Sequence, residues 1–155
     1  MKKLFFVICM MLMSVATFAQ QGKMTVGIHG NYMIDSPKNF GLGANIGYEV
    51  IDNVRGVAEF NYLLKKDGFS YWNVELNGEY LFKLADGAFT IYPLVGIDLL
   101  GQKVEGGSSD SKLGLNLGGG LEFQLMKNLA LKAEYNYKTQ YNGWSLLKFG
   151  IVIPF

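Results

Sequence analysis

The residues best placed to do chemistry are acids and bases that recur at even spacings within segments of alternating character. Glu59 follows Arg55 by four residues, and Glu134 follows Lys132 by two. Even spacing puts side chains on one face of a β-strand, so opposite charges from several strands would meet there. The full set comprises Arg55, Glu59, Glu75, Glu79, Asp98, Lys132, Glu134 and Lys148. Such a set forms either an ion gate or a packed polar network, and we favour the network because buried charges must be paired.

His29, the single histidine, is the candidate for a catalytic base or a metal ligand. A nucleophile–base pair requires a hydroxyl or thiol within hydrogen-bond reach, and no serine motif accompanies His29. The single cysteine, Cys9, lies in an N-terminal apolar segment that we expect to be removed, which leaves no thiolate for catalysis or zinc. We therefore expect no enzyme activity, no cofactor, and no catalytic or metal-binding residues.

The first 19 residues have the three regions of a secretory signal peptide. Lysines stand at positions 2 and 3, residues 4–13 are almost wholly apolar, and residues 14–19 are mostly small. The apolar run is shorter than the ~20 residues of a membrane-spanning helix, which argues against a permanent anchor. We expect export through the Sec pathway, cleavage after Ala19, and one mature domain over residues 20–155.

The rest of the chain alternates with a period of two, which is typical of β-strands. Eight segments have this period: 24–32, 40–50, 54–64, 72–82, 89–99, 113–125, 129–137 and 147–155. Each is about the length that a tilted strand needs to cross a bilayer. The connections alternate between short turns (51–53, 83–88, 126–128) and longer polar loops (65–68, 102–112, 139–143), with a turn of middling length at 35–39. This pattern predicts an all-β, eight-stranded antiparallel up-and-down barrel that spans a membrane.

The two faces of these segments differ sharply in polarity. One register has no charged residue in any of the eight segments, whereas the other holds the acids and bases together with asparagine and glycine. An eight-stranded barrel is only wide enough to be filled by ordinary side chains, so the many aromatic residues must face outward. We expect interfacial belts formed by Tyr62, Trp72, Tyr80, Phe82, Phe89, Phe123 and Tyr137. A soluble barrel or sandwich with the apolar face inward is the alternative.

Several motifs resemble those of the small bacterial outer-membrane β-barrel proteins, the group that contains OmpA-type and OmpX-type barrels. They are residues 118–123 (Gly-Gly-Gly-Leu-Glu-Phe), residues 128–135, and residues 92–96 (Tyr-Pro-Leu-Val-Gly). The resemblance covers the mature chain, and the leader ending at residues 18–20 is similar to those common in Bacteroidetes. Pro93 departs from the pattern within a strand and is expected to mark a bulge or the periplasmic start of the fifth strand.

The resemblance also implies partners and a place in the cell. The alternating end of the chain is similar to the signal read by the barrel-assembly machinery; this signal consists of Phe149, Ile151, Ile153 and Phe155. It implies an integral outer-membrane protein that meets periplasmic chaperones during biogenesis, works as a monomer, and presents four loops outside the cell. Some barrel enzymes of this size modify lipids with a histidine and a serine, so a lipid-modifying enzyme remains an alternative.

The most consistent function is non-enzymatic: membrane integrity, or surface contact and adhesion through the outer loops to an unknown ligand. A narrow pore or small-solute transporter is the first alternative. Residues 102–112, Tyr141, Asn142 and Trp144 could form a small binding rim, although Trp144 is expected to anchor the outer interface instead. Without Lys2 and Lys3 the 14 basic residues fall to 12, against 13 acidic ones, so we expect no nucleic-acid partner.

Overall fold

The computed structural model describes residues 24–35 and 38–155. The predicted signal peptide with its cleavage site, and residues 36–37 of the first turn, lie outside the described residues. Within the described residues the chain forms nine strands and two short 3₁₀ turns, at Ala85–Gly87 and Gln140–Asn142. The strands are β1 Met24–Met33, β2 Asn39–Ile51, β3 Val54–Lys66, β4 Phe69–Tyr80, β5 Phe82–Leu84, β6 Phe89–Val104, β7 Ser109–Met126, β8 Leu129–Lys138 and β9 Trp144–Pro154. No helix in this part of the chain is long and apolar enough to cross a bilayer.

The strands close into one antiparallel barrel. Neighbouring strands along the chain pair with one another except β4 and β5, β4 pairs instead with β6, and β1 pairs with β9. β5 continues β4 after a gap of one residue and pairs with the same neighbour, β6. The two together occupy one place in the sheet, so the described chain is an eight-stranded barrel and the predicted fold is confirmed. Closure leaves no edge along the length that all strands share, so each strand there has a partner on both sides.

Pro93 explains the gap between β4 and β5. The register is the same on both sides of the gap, because Glu79 is opposite Leu94 and Phe82 is opposite Ile91. Pro93 therefore lies opposite Tyr80, where it has no N–H to donate to the ladder. Since the register does not shift, the interpretation of Pro93 as a bulge is wrong. Pro93 is the fifth residue of β6 and lies near the start of that strand.

The two ends of the barrel differ. The terminal end, which holds Met24 and Pro154, has the short turns between β2 and β3 and between β7 and β8. The opposite end is called the loop end below. Residues 102–112, predicted to be a loop, are mostly strand: β6 reaches Val104, β7 begins at Ser109, and Lys103 pairs with Ser109. The prediction failed because glycine and serine indicate a loop locally, whereas pairing with β4 on the other side of β6 supports the extended backbone.

The outer face of the barrel is apolar and the inner face is polar. Large apolar side chains on the outside are strongly exposed, with Leu42 at 66%, Phe40 at 64% and Phe149 at 60%. Exposure of this extent over a whole surface is not compatible with a water-soluble monomer, but it suits a lipid environment. The assignment of the two registers made from the sequence is therefore confirmed. The lumen is filled by side chains, and its contents form the candidate functional site.

Candidate functional site

The structure brings all of the predicted lumen residues together inside the barrel. Arg55, Glu59, Glu75, Glu79, Asp98, Lys132, Glu134 and Lys148 are each at most 5% exposed. Lys138 is also fully buried there, whereas Glu122 keeps 13% of its side chain exposed. These residues come from β3, β4, β6, β7, β8 and β9, so most of the barrel wall contributes to one network.

Glu75 is the centre of the network. Its Oε1 accepts hydrogen bonds from the amides of Asn61 at 3.0 Å and Asn73 at 2.8 Å, and its Oε2 accepts from Asn77 at 3.1 Å and Asn116 at 2.9 Å. Two ammonium groups also bind Glu75, those of Lys138 and Lys148. A buried carboxylate needs this many donors because water no longer solvates it. Four of the recurring asparagines of the sequence therefore serve as donors to Glu75.

Lys148 joins three carboxylates. Its Nζ contacts Glu59, lies 3.0 Å from Glu75 Oε2, and lies 3.3 Å from Glu134 Oε1. Both Lys148 and Glu75 are fully buried. A buried charge is tolerated only when opposite charges and hydrogen bonds replace its hydration. Lys148 is thus the cation on which the middle of the network depends.

A second cluster closes the network toward the terminal end. Arg55 donates from Nε to Glu79 at 2.7 Å and also pairs with Glu122. Lys132 lies 2.7 Å from Glu134 Oε2, which also accepts a hydrogen bond from the hydroxyl of Tyr92 at 2.7 Å. The Arg55 guanidinium and the Lys132 ammonium lie 5.5 Å and 5.6 Å from the centre of the Tyr92 ring. Each cation therefore gains a cation–π contact with the same ring.

Asp98 leads the network toward the loop end. It accepts hydrogen bonds from Asn73 at 2.7 Å and from Gln140 Nε2 at 2.7 Å, and it lies 3.4 Å from Lys138. Gln140 belongs to the 3₁₀ turn after β8 and also donates to the backbone carbonyl of Asp98 at 2.8 Å. The turn is therefore hydrogen-bonded to the lumen network at the loop end.

An apolar layer covers the network at the loop end. It consists of Met33, Leu63, Leu100, Trp144 and Leu146, with Tyr71 packed against it. The expectation that Trp144 anchors the outer interface or joins an exposed rim is wrong, because Trp144 is 6% exposed and faces inward beside Leu146. Trp144 lies four residues before Lys148, so alternation would place both on the inner face. This was missed because the predicted last strand began only at residue 147. Among the described residues, this layer lies between the charged network and the loop end of the barrel.

At the terminal end the barrel opens into a small vestibule. A cavity of about 200 Å³ is lined there by polar side chains such as Thr25 and Thr90 and by apolar ones such as Leu81 and Val152. Arg55 and Glu122 form its inner boundary, and the pair of Lys83 with Glu49, 2.8 Å apart, lies at its opening. The vestibule ends where the ion pairs of Arg55 begin.

His29 is part of the network. Its Nε2 lies 2.7 Å from Asn61 Oδ1 and 3.5 Å from Glu59, and its Nδ1 lies 3.4 Å from the Asn45 amide. Within the described residues these are the polar contacts of the ring, and none of them is to a hydroxyl. The described residues also contain no group of three His, Cys, Asp or Glu side chains that could hold a metal ion.

Two functional members of the lumen were missed from the sequence. Tyr92 is six residues before Asp98, so its inward position was available from the alternation, but it was not among the predicted lumen residues. Gln140 lies in a turn without any period, and no local signal could have placed it in the lumen. The side chains of both are almost fully buried.

The predicted interfacial aromatics all lie on the outer face, in two groups. Tyr80, Phe82, Phe89 and Phe123 lie toward the terminal end, and Tyr62, Trp72 and Tyr137 lie toward the loop end. The indole ring of Trp72 packs against Gly101, whose missing side chain makes room for it. Phe149, Ile151, Ile153 and Phe155 also face outward, and their role as an assembly signal stays a prediction.

The exposed rim of the loop end carries a few ordered contacts. The Lys112 ammonium lies 5.1 Å from the centre of the Tyr141 ring, and the Tyr141 hydroxyl lies 3.5 Å from Asp110. Partial desolvation, followed by the negative charge of Asp110, raises the pKa of Tyr141. The hydrogen bond and positive charge of Lys65 lower the pKa of Glu105. These are surface contacts of small individual energy.

Comparisons with known proteins agree with this architecture. A family model described as "Outer membrane protein beta-barrel domain" matches residues 5–151. The N-terminal β-barrel domain of Pseudomonas aeruginosa OprF is 17% identical with a TM-score of 0.71, and the match covers 86% of this chain and 98% of that one. Neisserial surface protein A is 19% identical with a TM-score of 0.68, covering 85% and 96%. Ail, the attachment invasion locus protein of Yersinia pestis, is 16% identical with a TM-score of 0.61, covering 86% and 97%. No curated protein sequence matches the chain.

Proposed function

Because the chain belongs to the outer membrane protein β-barrel domain family and is located in the outer membrane, we propose that it acts there without catalysis, as a closed barrel. Its contribution is to membrane integrity or to contact with other surfaces through the loop end, which faces outside the cell. In this arrangement the terminal end faces the periplasm, and the protein works as a monomer within its own membrane. Periplasmic chaperones and the barrel-assembly machinery are its partners during biogenesis.

The filled lumen is the observation that carries this proposal. Glu75 and Lys148 each bind several partners at the centre, and the layer around Trp144 and Leu146 covers them on the outer side. Moving an ion through this path would require breaking several buried charge-assisted hydrogen bonds at once, each of which costs about 1.5–3 kcal/mol. A network with this many shared partners suits a structural filling better than a path for solutes.

The contacts of His29 argue against the lipid-modifying alternative. Its ring nitrogens are engaged by Asn61, Asn45 and Glu59 inside the lumen, not by a hydroxyl at the lipid-facing surface. A lipid substrate would approach from the outside of the barrel. His29 instead lies in the lumen and is only 5% exposed. Expression of the chain is expected to leave the lipid A profile of the host unchanged. A changed profile that is lost in His29→Ala would establish the enzyme instead.

Between membrane integrity and surface contact, the similar structures favour surface contact as the function. Ail is named as an attachment invasion locus protein and has also been solved with the heparin analogue sucrose octasulfate. We extend only the general idea of contact through the outer loops to this chain. Lys65, Lys66 and Lys103 are exposed at its loop end, although Glu105 already pairs with Lys65.

Conductance tests the closed lumen directly. The purified protein, inserted into a planar lipid bilayer, is expected to show no steady single-channel opening. Altered migration of unboiled against boiled samples on an SDS gel would establish in the same preparation that the barrel is folded. Steady openings that disappear in Glu75→Gln, but persist in the exposed-loop control Glu105→Gln, would make the protein a narrow pore and overturn the proposal.

A further inference from the structure

The loop end of the barrel leaves one strand without a neighbour. β7 pairs with β6 as far out as Ser109, opposite Lys103, but its pairing with β8 begins only at Asn116, opposite Lys138. Residues 109–115 therefore extend about 20 Å beyond β8 at ~3.3 Å per residue. Among the described residues no strand pairs with this part of β7 on its β8 side. The extension of β7 thus has one paired side and one free edge.

The backbone groups that face the free edge can be identified from Leu115. Its N–H donates to Thr139 Oγ1 at 2.9 Å, and its C=O accepts from the Thr139 N–H at 3.1 Å, so Leu115 faces the β8 side. In an antiparallel ladder the facing side alternates, so Leu113, Ser111 and Ser109 also point their backbone groups to that side. The Ser111 N–H donates there to the carboxylate of its own neighbour Asp110 at 2.9 Å. A local side chain therefore substitutes for a missing strand.

The nearest element leaves this edge open. The 3₁₀ turn at Gln140–Asn142 packs against the inner side of β7, where Tyr141 contacts Asp110 and Lys112 and Gln140 contacts Gly114. The backbone edge itself is not covered by these contacts. Ser109, Ser111 and Leu113 are exposed, with Leu113 at 65%. An edge of this kind is a template for an additional strand.

The sequence of the edge is complementary to itself. When two copies run antiparallel with Ser111 opposite Ser111, the edge-facing Ser109 of each copy is opposite the edge-facing Leu113 of the other. Asp110 of each copy is then opposite Lys112 of the other, in the close non-hydrogen-bonded pairs of the ladder. The pairing therefore joins opposite charges on both sides of the two-fold axis, which is the condition for an isologous contact.

We propose that this free edge of β7 pairs with the same edge of a second copy that lies in a facing membrane. Copies in one membrane direct β7 the same way, so an antiparallel pair requires two membranes that face each other. The pairing would join the extensions of β3, β4, β6 and β7 from the two copies into one sheet between the membranes. This inference rests on the proposed function, because it names the partner of the surface contact as the protein itself.

A single contact of this size is weak, and its effect depends on how many copies pair between the two membranes. Only the short stretch from Ser109 to Leu113 takes part, and exposed ion pairs add about 0.2–1 kcal/mol each. Many copies on two surfaces bind together far more strongly than one pair, because each later contact forms at a high effective concentration. Adhesion between membranes is therefore the expected readout, not a stable dimer in detergent.

A charge-swap experiment tests the pairing. Liposomes that carry the wild-type protein are expected to aggregate, as measured by turbidity, and to disperse at high salt. Liposomes with Asp110→Lys and liposomes with Lys112→Asp should each lose aggregation, because like charges then face each other. Mixing the two populations restores opposite charges at both positions and should restore aggregation. Lys103→Glu, an exposed charge change on the neighbouring strand, and Asp67→Lys, in an exposed turn, serve as matched controls and should aggregate normally.

A disulfide provides a second measurement that does not depend on charge. The mature chain is expected to lack cysteine, so Ser111→Cys introduces one thiol, and Cα atoms in a hydrogen-bonded pair are about 5.5 Å apart, within disulfide range. Ser111→Cys in two differently tagged liposome populations is expected to give a mixed dimer on a non-reducing gel, whereas Ser109→Cys alone is not. Absence of wild-type aggregation, failure of the mixture to aggregate, or absence of the mixed dimer would overturn the inference. If the same preparations remain folded and non-conducting, the proposed closed barrel stands while the pairing falls.

Discussion

Replacing Lys148 with methionine is expected to lower the free energy of unfolding by about 3–5 kcal/mol. The side chain is fully buried, and its ammonium contacts Glu59, Glu75 and Glu134. Methionine has a similar length, so packing is largely kept while three carboxylates lose their shared cation. The measurement is equilibrium unfolding in urea with the protein in phospholipid vesicles, in which gel mobility reports the folded fraction.

Two further variants separate lost charge pairing from lost packing. Lys83→Met removes a cation that pairs with Glu49 at 2.8 Å but is 45% exposed, so its expected cost is at most about 1 kcal/mol. The double variant Lys148→Met, Glu59→Gln removes one of the uncompensated negative charges and should be more stable than Lys148→Met alone. A cost for Lys148→Met no larger than that for Lys83→Met would show that the network contributes little to the stability of the barrel.

Placing an arginine at Leu76 is expected to lower the free energy of unfolding in phospholipid vesicles by about 2–4 kcal/mol. Leu76 is 54% exposed on the outer face of β4, midway between Trp72 and Tyr80, which belong to the two groups of outer aromatics. At this depth the guanidinium would lie in hydrocarbon without a partner. Urea titration in vesicles against the wild-type protein measures the cost.

Ser70→Arg is the matched control on the same strand. Ser70 shares the outer register of Leu76 but lies beyond Trp72, in the part of β4 that pairs with Lys103 of β6. The cost of arginine there should fall to about 0–1 kcal/mol, because the side chain reaches the interface and water. Equal costs at the two positions would contradict the assignment of the aromatic groups to the membrane interfaces.

The alternation of the sequence predicted most strand positions to within a few residues, since the period of two depends only on local backbone geometry. β1, β3 and β8 begin at the predicted residues 24, 54 and 129. The predictions failed where a strand continues into residues of loop-like composition. Residues 102–104 and 109–112 are examples, because they adjoin the turn that holds Gly106 and Gly107 while pairing with the neighbouring strands keeps their own backbone extended.

Trp144 and Gln140 show the same limit within the candidate site. Trp144 was expected at the outer interface because of its residue type, yet β9 begins three residues earlier than predicted and places Trp144 inside the lumen. Gln140 reaches Asp98, 42 residues away in the chain, from a turn without periodicity. Both positions depend on how far a strand extends and on what lies across the barrel.

The sequence by itself determined the number of strands, the polarity of the two faces and the identity of the charges in the lumen. These properties follow from composition and from the alternation of side chains along an extended chain. The tertiary structure alone decided which charges pair, which residues seal the loop end, and that β7 outreaches β8. Lys148 meets Glu75 across 73 residues of sequence only because closure and register bring β9 and β4 to opposite walls of a narrow lumen. Alternation specifies the face on which a side chain lies, but its partner depends on the register between strands, and that is set by all of the pairings together.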